Sequence, residues 1–226
     1  MPTFKHAQTQ CLLIGNSRSI WTPFLTHVQS ICIDSGSTRR HQLPSDPFDS
    51  YVEKSILTCL QSLDGFSHRF SAAVHFSHDR FFLLDPNGTV LDEGWQRIPF
   101  QKLGELCGFA VSIPGTGLQA TYEQGPWFSY RAVIVFDTEI PETLSTESNK
   151  LRLEHWLHDQ IPKDRLGLWQ HQVNQLISSQ SSDNNNWSKW LDLRVDIGKA
   201  LGRHDQKFCD QQCKYHYTKD KVHLLS

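Results

Sequence analysis

Tyr122-Glu123-Gln124-Gly125-Pro126-Trp127-Phe128-Ser129-Tyr130-Arg131 runs without a break into Ala132-Val133-Ile134-Val135-Phe136. This stretch decides how the chain is read. Residues 131–137 are rich in β-branched and aromatic side chains and form the clearest strand in the sequence. Successive side chains of a strand point to opposite faces. Phe128, Tyr130, Ala132, Ile134 and Phe136 are therefore expected on one face, suited to a core. Trp127, Ser129, Arg131 and Val133 fall on the other. A guanidinium placed there stays ionised and needs an anion or several acceptors. Two sources are open, a ligand or a carboxylate from within the chain.

Outward from this strand, helices and strands alternate irregularly. Cys11-Leu12-Leu13-Ile14-Gly15 is a short apolar run closed by glycine and reads as a buried strand. Residues 20–32 show helical apolar spacing at Ile20, Phe24, Leu25, Val28 and Ile31. Asp46-Pro47 reads as a helix start, with Asp46 as the cap, Pro47 in the first turn and Asp49 near the positive end of the dipole. Residues 71–76 and 80–84 read as strands, and Asp85-Pro86-Asn87-Gly88 as a hairpin turn into 89–91. Pro99 opens a helix through Leu103, Leu106 and Cys107; residues 108–113 read as a strand and 114–117 as a loop. Helical patterns at 151–160 and 166–177 precede a polar run at 178–186, read as a loop within a single domain spanning 1–226. Strands scattered among helices, with a hairpin in the middle, predict an α+β fold.

Composition narrows the function. The 226 residues carry 22 Lys plus Arg against 24 Asp plus Glu, a net charge of −2, which argues against nucleic-acid binding. No apolar run approaches the roughly 20 residues that a membrane span needs. Six Cys at 11, 32, 59, 107, 209 and 213 sit mostly in apolar or helical patterns, as reduced thiols do. The expectation is a cytoplasmic protein without a membrane partner. Cys209 and Cys213, with His204, His216 and His223 nearby, offer soft ligands, but a matching second Cys pair is missing. They read as two positions on a C-terminal helix, and no metal is expected. Gly115-Thr116-Gly117 is too short for a dinucleotide fingerprint or a P-loop. No nucleophile elbow marks a serine hydrolase, so no catalytic residue is assigned.

Gly125-Pro126-Trp127-Phe128-Ser129-Tyr130-Arg131-Ala132-Val133 resembles the G-x-W-F-x-x-R-x-V signature of the cobalamin-processing CblC family of cyanocobalamin reductases and alkylcobalamin dealkylases. Three other stretches agree in order. Asp46-Pro47-Phe48-Asp49 is similar to the family's D-P-x-D helix start, and residues 97–108 resemble its helix before the central strand. Trp187-Ser188-Lys189-Trp190, Arg194 and residues 207–215 resemble its W-x-x-W and R-Y-S-x-E-Q-x-A-Y segments, which explains Cys209 and Cys213 as helix positions. Thr121-Tyr122 stands where the family has His-Pro, and the C-terminal Cys clusters of its bacterial branch are missing.

The resemblance implies a flavin-reductase or nitroreductase-like α+β fold, a central antiparallel sheet flanked by helices, often as a homodimer. It implies a cavity for base-off cobalamin, whose upper ligand is removed either by reduction with FMN or FAD or by transfer to glutathione. Gly115, Thr116, Gly117 and Gly125 would let backbone approach the corrin, with Trp127 and Ser129 on the cavity wall. Arg131 and Arg194 would bind a glutathione or flavin anion, and on this reading Arg131 contributes little to folding. A downstream cobalamin-trafficking protein is an implied partner. The alternatives are a non-catalytic cobalamin carrier and a reductase related to the N-terminal domain of epoxyqueuosine reductase, which shares the G-x-W-F motif.

Overall fold

The computed structural model describes residues 10–34, 43–62, 72–79, 98–136, 147–178 and 186–224. In chain order these form β1 (Gln10–Asn16), α1 (Trp21–Asp34), α2 (Pro47–Ser62), β2 (Ala72–Phe76), α3 (Phe100–Leu106), β3 (Val111–Ser112) and β4 (Gln119–Ala120). There follow β5 (Ser129–Phe136), α4 (Glu147–Gln160), α5 (Lys163–Ser178), α6 (Asn186–Ala200) and α7 (Asp210–Thr218). Helices packed with small antiparallel sheets make this an α+β fold. The expected strands at 80–84 and 89–91, the turn between them and most of the polar run lie outside the described residues.

β5 is the middle strand of a three-stranded antiparallel sheet, ordered β1-β5-β2. Leu12 pairs with Ile134, Leu13 with Val133 and Ile14 with Ala132, but the next pair is Gly15 with Tyr130. Arg131 is thus an extra residue on β5, a β-bulge. Strict alternation therefore fails here. Ala132 joins the core that β5 shares with α1 and α2, made of Trp21, Phe24, Val28, Phe48, Val52 and Tyr215. The guanidinium of Arg131 lies 4.7 Å from the Phe48 ring centroid, against that same core. Phe128 and Tyr130 contact Phe109 instead, from the segment after α3. The face shared by Phe128, Tyr130 and Ala132 in the sequence reading is divided by the bulge.

The caps follow local chemistry. Asp46 Oδ1 accepts from the Asp49 N–H at 3.1 Å and caps α2, as the Asp-Pro start predicts. A second core lies where α4, α5 and α6 meet the β3–β4 hairpin, around Trp169, Ile197 and Leu201. Trp169 Nε1 reaches this burial by donating to Asp196 at 2.7 Å. Trp127, Phe208 and Cys213 form a third, smaller cluster with Leu191 and Val195. α6 is wedged between the last two. Leu193 and Ile197 face one cluster and Leu191 and Val195 the other, so no single apolar stripe announces the helix in the sequence. The strand expected at 108–113 contracts to Val111–Ser112 because Gly108 turns the chain at φ +64°.

Candidate functional site

Where α3, β4 and the start of β5 converge, they line an open cavity of about 720 Å³. Phe100, Phe128 and Tyr130 supply rings, Gln101 and Gln119 amides, and Lys102 and Arg194 positive charge. Phe128 and Tyr130 stand nearly perpendicular, 5.2 Å between centroids, and Phe100 lies 6.1 Å from Tyr130. Gln119 is buried and anchored: its Nε2 donates to the Gln101 carbonyl at 3.0 Å and to Ser112 Oγ at 3.2 Å. Its Oε1 accepts from the Tyr130 hydroxyl. Burial, with Cys107 and Glu105 nearby, pushes the Tyr130 phenol well above the ordinary tyrosine range, so it stays neutral. Cavities of about 710 and 440 Å³ elsewhere have no Phe, Tyr or Trp in their linings.

The sequence-predicted residues distribute as follows. Ser129 and Arg194 line the cavity. Gly115, Thr116 and Gly117 are not in the cavity lining; their loop is tied to it through Gln101, whose Nε2 donates to the Gly117 carbonyl at 3.0 Å. Both glycines of that loop have positive φ, +73° and +68°, which side chains rarely adopt. Thr116 is completely buried; its hydroxyl donates to the Ile113 carbonyl and accepts from the Leu118 N–H, holding the turn closed. Gly125 lies against Arg203, not in the cavity lining.

Trp127 is only 1% exposed and packs on Phe208 at 5.8 Å, beneath the Arg194 guanidinium. Gly198 makes room for it, because a Cβ there would stand 2.5 Å from the indole nitrogen. Trp127 Nε1 and Arg194 Nε are both buried without a hydrogen-bond partner among the described residues. Each such donor suits an acceptor oxygen brought by a ligand or water.

Arg131 finds its anion inside the chain. Its Nη1 lies 3.3 Å from Asp49 Oδ1, and its Nε donates to Asn16 Oδ1. Burial lowers its pKa, opposed by Asp49 and Asp46; an arginine remains charged nonetheless. His216, weighed in the sequence only as a neighbour of Cys209 and Cys213, has its ring 4.8 Å from the Phe48 ring and 5.7 Å from the Phe208 ring. Burial, then the positive charges of Arg131, Lys219 and Arg194, push its pKa down to about 3. Nothing in the sequence marked its packing against rings from distant segments such as Phe48.

Cys209 is the N-cap of α7, accepting from the Gln212 N–H, and Cys213 is buried one turn further on. Among the described residues, no three His, Cys, Asp or Glu side chains converge as metal ligands.

The arrangement of a small antiparallel sheet with helices packed around it has a solved counterpart. The chain has the fold of CblC: it matches the crystal structure of the C. elegans B12-trafficking protein CblC, a human MMACHC homologue, with a TM-score of 0.58. Identity is 17%, over 96% of this chain and 78% of that one. No protein-family model and no curated protein sequence matches the chain.

Proposed function

We propose that this chain is a single-domain cobalamin-processing protein on a flavin-reductase-like scaffold, binding base-off cobalamin and removing its upper axial ligand. What carries the reading is the 720 Å³ cavity opening on the strand that bears the G-x-W-F-x-x-R motif, in a chain with the CblC fold. Phe100, Phe128 and Tyr130 give a flat macrocycle apolar wall, and Gln101 and Ser129 offer hydrogen bonds to its amides. Arg194 has a buried donor free of partners among the described residues and serves a glutathione carboxylate or a flavin phosphate. Lys102 adds a second positive charge at the cavity. Arg131 supports the site from behind, fixing α2 to β5 through Asp49. The chemistry supplied by the bound groups is electron transfer from reduced FMN or FAD to cobalt, or attack of the glutathione thiolate on the alkyl carbon with cobalt keeping the electron pair.

The visible spectrum of cyanocobalamin and methylcobalamin, with and without the purified protein, tests this. A base-off shift establishes binding, and a further change on adding reduced flavin or glutathione establishes ligand removal. A shift without further change assigns a carrier, and an unchanged spectrum overturns the reading.

A further inference from the structure

The hydroxyl end of the Tyr130 ring abuts α3 at Gly104. A Cβ at Gly104 would stand 2.0 Å from the Tyr130 hydroxyl oxygen and 2.8 Å from its ring carbon Cζ. Only glycine leaves room for the ring in this position. At that same end the hydroxyl donates to Gln119, which two further hydrogen bonds hold still. The phenol's single proton is therefore spent inside the protein, and what Tyr130 offers the cavity is its ring. Phe100 and Phe128 flank that ring.

We propose that Tyr130 is a specificity-determining wall of the cavity, with Gly104 and Gln119 as the residues that position it. It selects a ligand by shape and ring contact, because its donor is already engaged. This rests on the cobalamin reading and adds to it which face of the cavity meets the flat macrocycle. A flat conjugated ring gains most from an aromatic surface held rigid before binding.

The test is spectrophotometric titration of hydroxocobalamin into the wild type and four variants, with circular dichroism and thermal melts on each. Tyr130→Phe keeps the ring and loses only the Gln119 bond, so affinity stays within about threefold of wild type. Tyr130→Ala removes the wall and weakens binding by at least about tenfold with the fold retained. Gly104→Ala drives the ring off its seat and costs a similar factor, although alanine favours the helix. In the Tyr130→Ala background, Gly104→Ala costs less than about twofold, because nothing is left to displace. A folded Tyr130→Ala variant that binds like wild type overturns the proposal, as does a Gly104→Ala penalty equal in both backgrounds. If Gly104→Ala does not fold, Tyr130→Ala still decides. Failure of the wild type to perturb the spectrum overturns the cobalamin reading itself, a result separable from any variant's.

Discussion

Truncating Arg131 tests the frame of the site most directly. Its side chain is 12% exposed and that of Asp49 20%. At their 3.3 Å separation the Coulomb attraction is about 5 kcal/mol for an effective dielectric near 20. Arg131→Ala also removes the hydrogen bond to Asn16 and the contact over Phe48. The loss is moderated because Asp49 lies in the first turn of α2, where the helix dipole favours a carboxylate, and keeps His78 at 3.8 Å. We expect Arg131→Ala to cost about 3 kcal/mol, the lower end of the range for breaking a buried pair. For a chain of this length that lowers Tm by about 6–12 °C. Asp49→Ala and the double variant complete a cycle, measured by urea unfolding, with a coupling of about 2 kcal/mol. The reasoning is refuted if Arg131→Ala changes stability by less than about 1 kcal/mol, additively with Asp49→Ala, while glutathione or cobalamin binding falls more than about tenfold. That result would give the guanidinium to a ligand anion, as the motif resemblance implies.

Acid should act through two groups. His216 is held neutral in the fold to about pH 3 but titrates near 6.5 when unfolded. The unfolded chain therefore binds the extra proton, and stability falls as pH drops from about 6.5 towards 3, by up to about 1.4 kcal/mol per unit. His216→Phe should flatten the slope of Tm between about pH 6 and 4; an unchanged slope counts against it. Burial raises the Asp46 carboxyl, but the Lys219 ammonium and the Asp49 N–H outweigh this and hold it below the ordinary range. Its contribution is present above the unfolded carboxylate pKa and disappears as pH falls through the folded value, so Asp46→Asn should weaken acid sensitivity below about pH 4. Among the six thiols, Cys11, Cys59, Cys107 and Cys209 are exposed and Cys32 and Cys213 buried. Burial pushes Cys213 up to about 11, so a disulfide reagent should modify four thiols quickly and two only on unfolding; rapid labelling of Cys213 would contradict the packing of α7. Thr116→Val loses both hydrogen bonds of a buried hydroxyl and should cost about 1–3 kcal/mol in urea unfolding, whereas a neutral substitution would mean the turn closes without it.

Local chemistry alone made much of this chain legible. Asp46-Pro47 announces α2 because a carboxylate in the cap accepts a free N–H and a proline in the first turn has none to leave unpartnered, and Asp46 does accept the Asp49 N–H. The strand at β5, the helices α1, α4 and α5 and the glycine loop at 115–117 follow from periodicity and turn residues in the same way. The ring-and-arginine motif also drew notice to the strand beside the cavity. Tertiary structure decided the rest. A bulge exists only relative to a partner strand, so no pattern within β5 could show that Arg131 would be the extra residue and find Asp49 82 positions away. Trp127 reads as a cavity wall until Gly198 and Phe208, both from beyond residue 186, are packed against it. Tyr130 reads as core until Gly104 and Gln119 turn its ring towards a cavity. Sequence spacing specifies which way the backbone turns, whereas burial and hydrogen-bond partners depend on segments that meet only when the chain has folded.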